Sequence, residues 1–150
     1  EYNGFYYDSI EKFQTGMEAL GKIGCEEVEI QLINGDLHLC QLAKALNIGQ
    51  CDLHLWFDEL DDLSSEDTAR IIFLLDLGFR IGDALSRYED VCLHYGTTED
   101  YAQDLIEETT DIPENLRYYI DYEAIARDMK INGEIVEIEH ELIVTNALEF

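Results

Sequence analysis

Basic residues are scarce in this chain. Nine lysines and arginines face 34 aspartates and glutamates, for a formal net charge of −25 over 150 residues. That imbalance argues against nucleic acid and anionic membrane as partners, because both are held through basic patches. It favours a basic partner. Pro113 is the single proline, and no long linker breaks the chain. No run of about 18 apolar residues occurs, so no membrane-spanning helix is expected. No secretory signal pattern opens the sequence. The first residue is Glu1 rather than Met, which leads us to expect a segment upstream. The four cysteines, Cys25, Cys40, Cys51 and Cys92, are irregularly spaced and form no C-x-x-C pair. The expectation is a cytoplasmic setting with reduced, mostly buried thiols.

Signatures of chemistry are missing as well. Residues 78–82, GFRIG, lack the Lys-Ser/Thr of a P-loop and the spacing of a dinucleotide fingerprint. HEL at His140–Leu142 lacks the second histidine of a zinc-protease helix. DELDD lacks the glycine and the terminal ligand of a calcium loop. His38, Cys40, Cys51 and His54 are zinc-ligand types. However, positions 38 and 40 would point apart on a helix, and the segment after them reads as an ordinary helix end. Ser64 and Ser65 read as a helix cap. Carboxylate pairs of the glycosidase kind are expected by chance among so many acids. We therefore expect no catalytic residue, no metal and no cofactor.

What is present is a core. The chain is 47% hydrophobic and 11% aromatic, enough to bury roughly two-thirds of its unfolded surface. Tyr2–Asp8 is strand-like, Ile10–Leu20 is helical, and Glu27–Ile33 alternates strictly, as a strand would, up to the turn pair Asn34-Gly35. Leu39, Leu42, Ala43 and Leu46 share a helix face that stops near Asn47–Gly49. Ser64 or Ser65 caps a helix whose stretch Ala69–Leu77 is apolar nearly all round and is therefore expected to be the buried centre of this layer. A short helix at Arg80–Tyr88, a strand at Val91–Tyr95 and a helix from Thr97, with Asp100 in a capping position, come next. Pro113 opens a helical turn. Asp121–Met129 is a helix with a Glu123–Arg127 pair, ended by Asn132-Gly133, and a hairpin closes the chain. The expected fold class is α+β, in small tandem subdomains: a helical middle with short antiparallel strands at both ends, in an elongated acidic body. The expected division is 1–35, 36–96 and 97–150.

The acids are arranged, not scattered. DELDDLSSED at 58–67 carries Asp58, Glu59, Asp61, Asp62, Glu66 and Asp67. From Ala45 to Ala69 there are seven acids and no lysine or arginine; from Tyr88 to Leu116 there are nine and again none. In the helix after Thr97, Asp100, Asp104, Glu107 and Glu108 fall on one face opposite Tyr101, Ala102, Leu105 and Ile106. These four charges span about 12 Å of helix axis, or one charge per roughly 3–4 Å, close to the roughly 3.4 Å phosphate rise of one DNA strand. Glu99 and Asp111 flank them. Folding does not need such crowding, since like charges repel. A merely solvated face mixes Lys with Glu, and the aliphatic core and nine tyrosines do not suggest a salt-adapted protein. At ~1.7 Å per charge, 25 charges match roughly 43 Å of duplex, about twelve base pairs. A compact body of this length is on the order of 40 Å across. The acids therefore read as phosphate-mimicking groups for the DNA channel of another protein.

The run IPENLRYYIDYEAIARDM at 112–129 resembles the ArdA antirestriction proteins. Pro113, Glu114, Leu116, Tyr119, Asp121, Tyr122, Glu123, Arg127 and Asp128 are among the positions that fill the family pattern, and ALSRYEDVCLHYGTTEDYAQDLIEE at 84–108 is also similar. The resemblance implies a DNA mimic in tandem domains, usually a homodimer, without catalytic residues or cofactor. Its implied target is a type I restriction–modification enzyme, in bacteria receiving a plasmid, transposon or phage. Within the run, Leu116, Tyr119, Ile120, Ile125 and Ala126 are expected in the core. A bare apolar strand at Val91–Tyr95 needs a partner, which is the N-terminal strand, the C-terminal hairpin or its own copy in a second chain; the last makes Val91, Leu93 and Tyr95 candidates for a dimer seam, with the hairpin Glu134–Thr145 the rival seam. The alternatives are a mimic aimed at a CRISPR effector or a repressor, and an acidic chaperone or adaptor for basic proteins.

Overall fold

The structure, a computed structural model, describes residues 4–22 and 27–150. The chain separates into two compact units, Glu1–Leu75 and Asp76–Phe150. It is mixed α+β and mostly helical, with one three-stranded antiparallel sheet among the described residues.

In the first unit, α1 (Ile10–Gly21) starts at Ser9, whose hydroxyl accepts the Lys12 N–H. Its Phe13 and Leu20 are buried, and Phe13 joins a ring cluster with Phe5 and Tyr7 that reaches Phe57. α2 (Leu37–Leu46) begins at Asp36, which accepts the Leu39 N–H at 2.8 Å. It ends at Asn47 in the left-handed region, a conformation asparagine tolerates better than most residues. α3 (Leu53–Leu55) runs on into a wide π-turn over Trp56–Leu60, closed by the Asp61 N–H on the Trp56 carbonyl. α4 (Ser65–Asp76) buries Thr68, Ala69, Ile71, Phe73 and Leu74. Ser64 caps it, accepting the Asp67 N–H at 3.1 Å.

Two expected strands do not form. Residues 4–8 of the opening segment belong to no sheet, and residues 2 and 3 lie outside the described residues. Glu27–Ile33 keeps its alternation as far as burial goes, with Val28 and Ile30 half-buried between exposed Glu27, Glu29 and Gln31. It has no strand partner among the described residues, and the Val28 carbonyl instead accepts the Gln50 side-chain amide. Alternation specifies which side is covered; it does not supply a neighbour to pair with.

The second unit holds α5 (Ile81–Arg87), β1 (Leu93–Tyr95), α6 (Thr98–Thr109), α7 (Tyr122–Ile131), β2 (Val136–Glu139) and β3 (Leu142–Val144). The sheet order is β1-β3-β2, with Leu93 opposite Val144 and Tyr95 opposite Leu142. Ala102 of α6 and Ala126 and Met129 of α7 pack with Ile135 and Ile143, flanked by Tyr101, Leu105 and Ile125. Small side chains at 102 and 126 allow the two helices to approach closely. Asn146 ties the strands' entry: it accepts the Cys92 N–H and donates to the Asp90 carbonyl, both at 2.9 Å. The Arg87 guanidinium lies over both Phe79 and Phe150, 5.4 and 4.8 Å from the ring centres.

Four further expectations are corrected. Leu116 and Tyr119 are exposed and not core, because they sit on a short 3-10 turn outside the packed face of α7. Arg127 does not pair with Glu123; its nearest carboxylate is Asp128, at 3.9 Å. Cys51 and Cys92 are exposed thiols, not buried ones. Leu77 is exposed beyond the end of α4, at the turn where Gly78 takes a φ of 95°.

Candidate target-binding surface

Two sets of carboxylates reach solvent, each held up by a buried framework. In the first unit, the wide turn after α3 lets Trp56 and Leu60 both face inward. Asp58, Glu59 and Asp62 are thereby left exposed, with Asp61 partly covered. Burial raises the Asp61 pKa above the ordinary carboxylate value, and the charges of Asp62 and Asp58 add to the effect. Glu66 is exposed in the first turn of α4, where the helix dipole favours an acid. Asp67 is different. It accepts from the Ser64 hydroxyl and from Arg70 at 2.8 Å, so its charge is largely committed within the unit.

In the second unit, Thr97 and Asp100 form a reciprocal cap on α6. The Thr97 hydroxyl accepts the Asp100 N–H, and Asp100 accepts the Thr97 N–H, each at 3.1 Å. The Thr97 hydroxyl also donates to Asp100, and these bonds hold the exposed carboxyl below its usual range. Beyond the cap, Asp104, Glu107 and Glu108 are exposed on the helix face turned away from buried Ala102. Glu107 accepts the Gln103 amide at 3.1 Å and the Tyr122 hydroxyl at 3.3 Å. Partial desolvation, with Glu107 beside it, pushes the Tyr122 hydroxyl up, and Arg117 opposes this. Glu99 and Asp111 are also exposed.

The residues of the family pattern divide between scaffold and surface. Pro113 opens a turn through its carbonyl, which accepts the Leu116 N–H. Asp121 caps α7 by accepting the Ala124 N–H at 2.9 Å. Glu114, Glu123, Arg127 and Asp128 are exposed, and Tyr122 is half-buried. Tyr118, next to Tyr119 in LRYY, was not singled out by its sequence position, yet it is among the most exposed aromatics described. Among the seam candidates, Val91 is buried within its own unit, while Leu93 is half-buried and Tyr95 exposed. β1 pairs with β3 along one edge, so β1 and β2 are the outer strands of the sheet.

Among the described residues, no group of three or more His, Cys, Asp or Glu is placed to hold a metal ion. No described helix is long and apolar enough to cross a membrane. The first unit has a groove of about 1020 Å³ lined by Phe5–Tyr7, Ile30–Gly35, α2 residues and Trp56.

These features describe a mixed α+β protein that carries its carboxylates in clusters on a capped, helical framework. The family model for the antirestriction protein ArdA matches residues 6–144. The chain belongs to the ArdA antirestriction family. No curated protein and no solved structure matches it.

Proposed function

We propose that the protein is a DNA mimic. It occupies the DNA-binding channel of a type I restriction–modification enzyme and blocks DNA binding, restriction and modification. Antirestriction follows from the family; the mimicry rests on the acids. The observation that carries it is α6, where Asp104, Glu107 and Glu108 are exposed on one face, and no base lies between Tyr88 and Leu116. Asp58, Glu59, Asp61, Asp62 and Glu66 supply a second cluster in the first unit, with Asp67 a weaker contributor beside Arg70. A lysine- or arginine-lined groove binds such clusters as it binds phosphates. The protein acts in the cytoplasm of the bacterial host, as a homodimer, and performs no catalysis.

Neutralisation tests the role of the acids. Single carboxylate-to-amide changes should each weaken displacement of DNA from a type I methyltransferase by less than about fivefold, since exposed charges act weakly one at a time. Replacing Asp104, Glu107 and Glu108 together by their amides should weaken it far more than any single change. An unchanged affinity in the triple variant would remove α6 from the interface.

A further inference from the structure

The sharpest mismatch between sequence and structure lies in the turn between α6 and α7. Leu116, Tyr118 and Tyr119 are 50, 88 and 84% exposed, within four residues of one another. A single exposed tyrosine is unremarkable, but two adjacent rings and a leucine on one turn are not explained by folding. The turn is anchored rather than loose: the Leu116 N–H bonds to the Pro113 carbonyl at 2.8 Å, and the Tyr119 N–H to the Leu116 carbonyl at 2.9 Å. Asp121 then starts α7 with its own cap. The turn also adjoins the acidic face, since Tyr122, three residues on, donates its hydroxyl to Glu107 of α6.

The surroundings identify the occupant by charge. Asp111, Glu114, Asp121 and Glu123 are exposed around the turn, with Arg117 the one base among them. A second copy would bring a like-charged rim against this one. A guanidinium fits both parts: its plane stacks on a tyrosine face while its N–H groups reach neighbouring carboxylates. The protein already uses that chemistry internally, where Arg87 lies over Phe79 and Phe150.

We propose that the turn Pro113–Tyr119 is a second contact element, in which Tyr118 and Tyr119 stack on arginine side chains of the target's DNA-binding groove. The inference rests on the DNA-channel reading above. It adds a component that ordinary charge mimicry lacks, because stacking and apolar burial are weakly screened by salt whereas the carboxylate contacts are strongly screened.

The test uses the full chain, a purified type I methyltransferase and a fluorescent duplex that the protein displaces. Tyr118→Ala with Tyr119→Ala should weaken displacement about tenfold or more, the range expected for aromatic anchors and cation–π pairs. The loss should be similar at low and high salt. Tyr118→Phe with Tyr119→Phe, which keeps the rings, should stay within about twofold of the wild type. Arginine chloride should inhibit the wild type more than lysine chloride at equal ionic strength, and the alanine variant should lose that difference. Both positions are exposed, so circular dichroism and the melting temperature should be unchanged. If the wild type displaces DNA and the alanine variant does so equally well, the turn has no such role. A changed sedimentation mass in the alanine variant would assign the turn to contact between copies instead. A wild type that displaces no DNA defeats the DNA-channel reading, and this inference with it.

Discussion

Thr97 and Asp100 show how far a single pair of residues can be read. A threonine followed three positions later by an acid, ahead of an apolar periodicity, announces a helix start, and the structure closes both halves of that cap. Thr97→Ala should destabilise the second unit by about 1 kcal/mol in thermal unfolding. Asp100 is held below its ordinary pKa in the folded state, chiefly by Thr97. Its contribution is thus present above the unfolded carboxylate value and is lost as pH falls through the folded one. Acid melts should show this component vanish in Thr97→Ala. Asp61 has the opposite sign. Burial raises its folded pKa, so the folded state holds that proton more tightly, and stability declines as pH rises from the unfolded value through the raised one. Asp61→Asn should therefore melt higher than the wild type at neutral pH, by no more than about 0.5 kcal/mol in stability. The gain should disappear at a pH where Asp61 is protonated in both states. A wild-type advantage at neutral pH would show that Asp61 is not penalised by its surroundings.

At the scale of elements, what could be read depended on how local the cause was. The ends of α2 and α4 follow from Asp36, Asn47 and Ser64, each acting within four residues. Leu42 was legible from helical periodicity, which fixes a face without needing to know its partner, and the burial of α4 from its run of apolar residues. Pairing across about 50 residues was narrowed but not fixed: the C-terminal hairpin was one of the partners open to β1, and it is the one β1 joins, whereas the Asn146–Cys92 bond follows no local pattern. The same limit explains Glu27–Ile33, whose alternation was real while its strand partner was absent among the described residues. Leu116 and Tyr119 went wrong for a different reason. Apolar character points to a core, but the short 3-10 turn at Arg117–Tyr119, entered at Leu116, leaves both residues exposed. On the acidic surface, the exposed face of α6 was legible from spacing, whereas the Arg70 partner of Asp67 lay just beyond the base-free stretch. The seam between α6 and α7 depends on alanines 102 and 126, both buried. Ala102→Leu should lower the stability of the second unit by about 1–3 kcal/mol through overpacking. A denaturant midpoint equal to wild type would mean that the seam has slack at that position.

For the whole molecule, −25 charges make self-association and target binding respond to salt in opposite directions. A homodimer must overcome repulsion between two like-charged chains, so its dissociation constant should fall as salt rises. Its proposed seam is the outer edge of β1, where Leu93 and Tyr95 still have surface to offer. Sedimentation of wild type and Leu93→Asp at two salt concentrations would decide. A monomeric wild type ends the dimer proposal, and a folded, dimeric Leu93→Asp moves the seam elsewhere. Target binding should instead weaken steeply with salt, as DNA binding does. The most direct measurement of the central claim is therefore a titration of the protein into a type I methyltransferase–DNA complex, following released duplex across a range of salt. Competition for the DNA channel requires complete release at micromolar protein or below in low salt, with an affinity that drops by orders of magnitude as salt is raised. Absence of release at micromolar protein in low salt would contradict it.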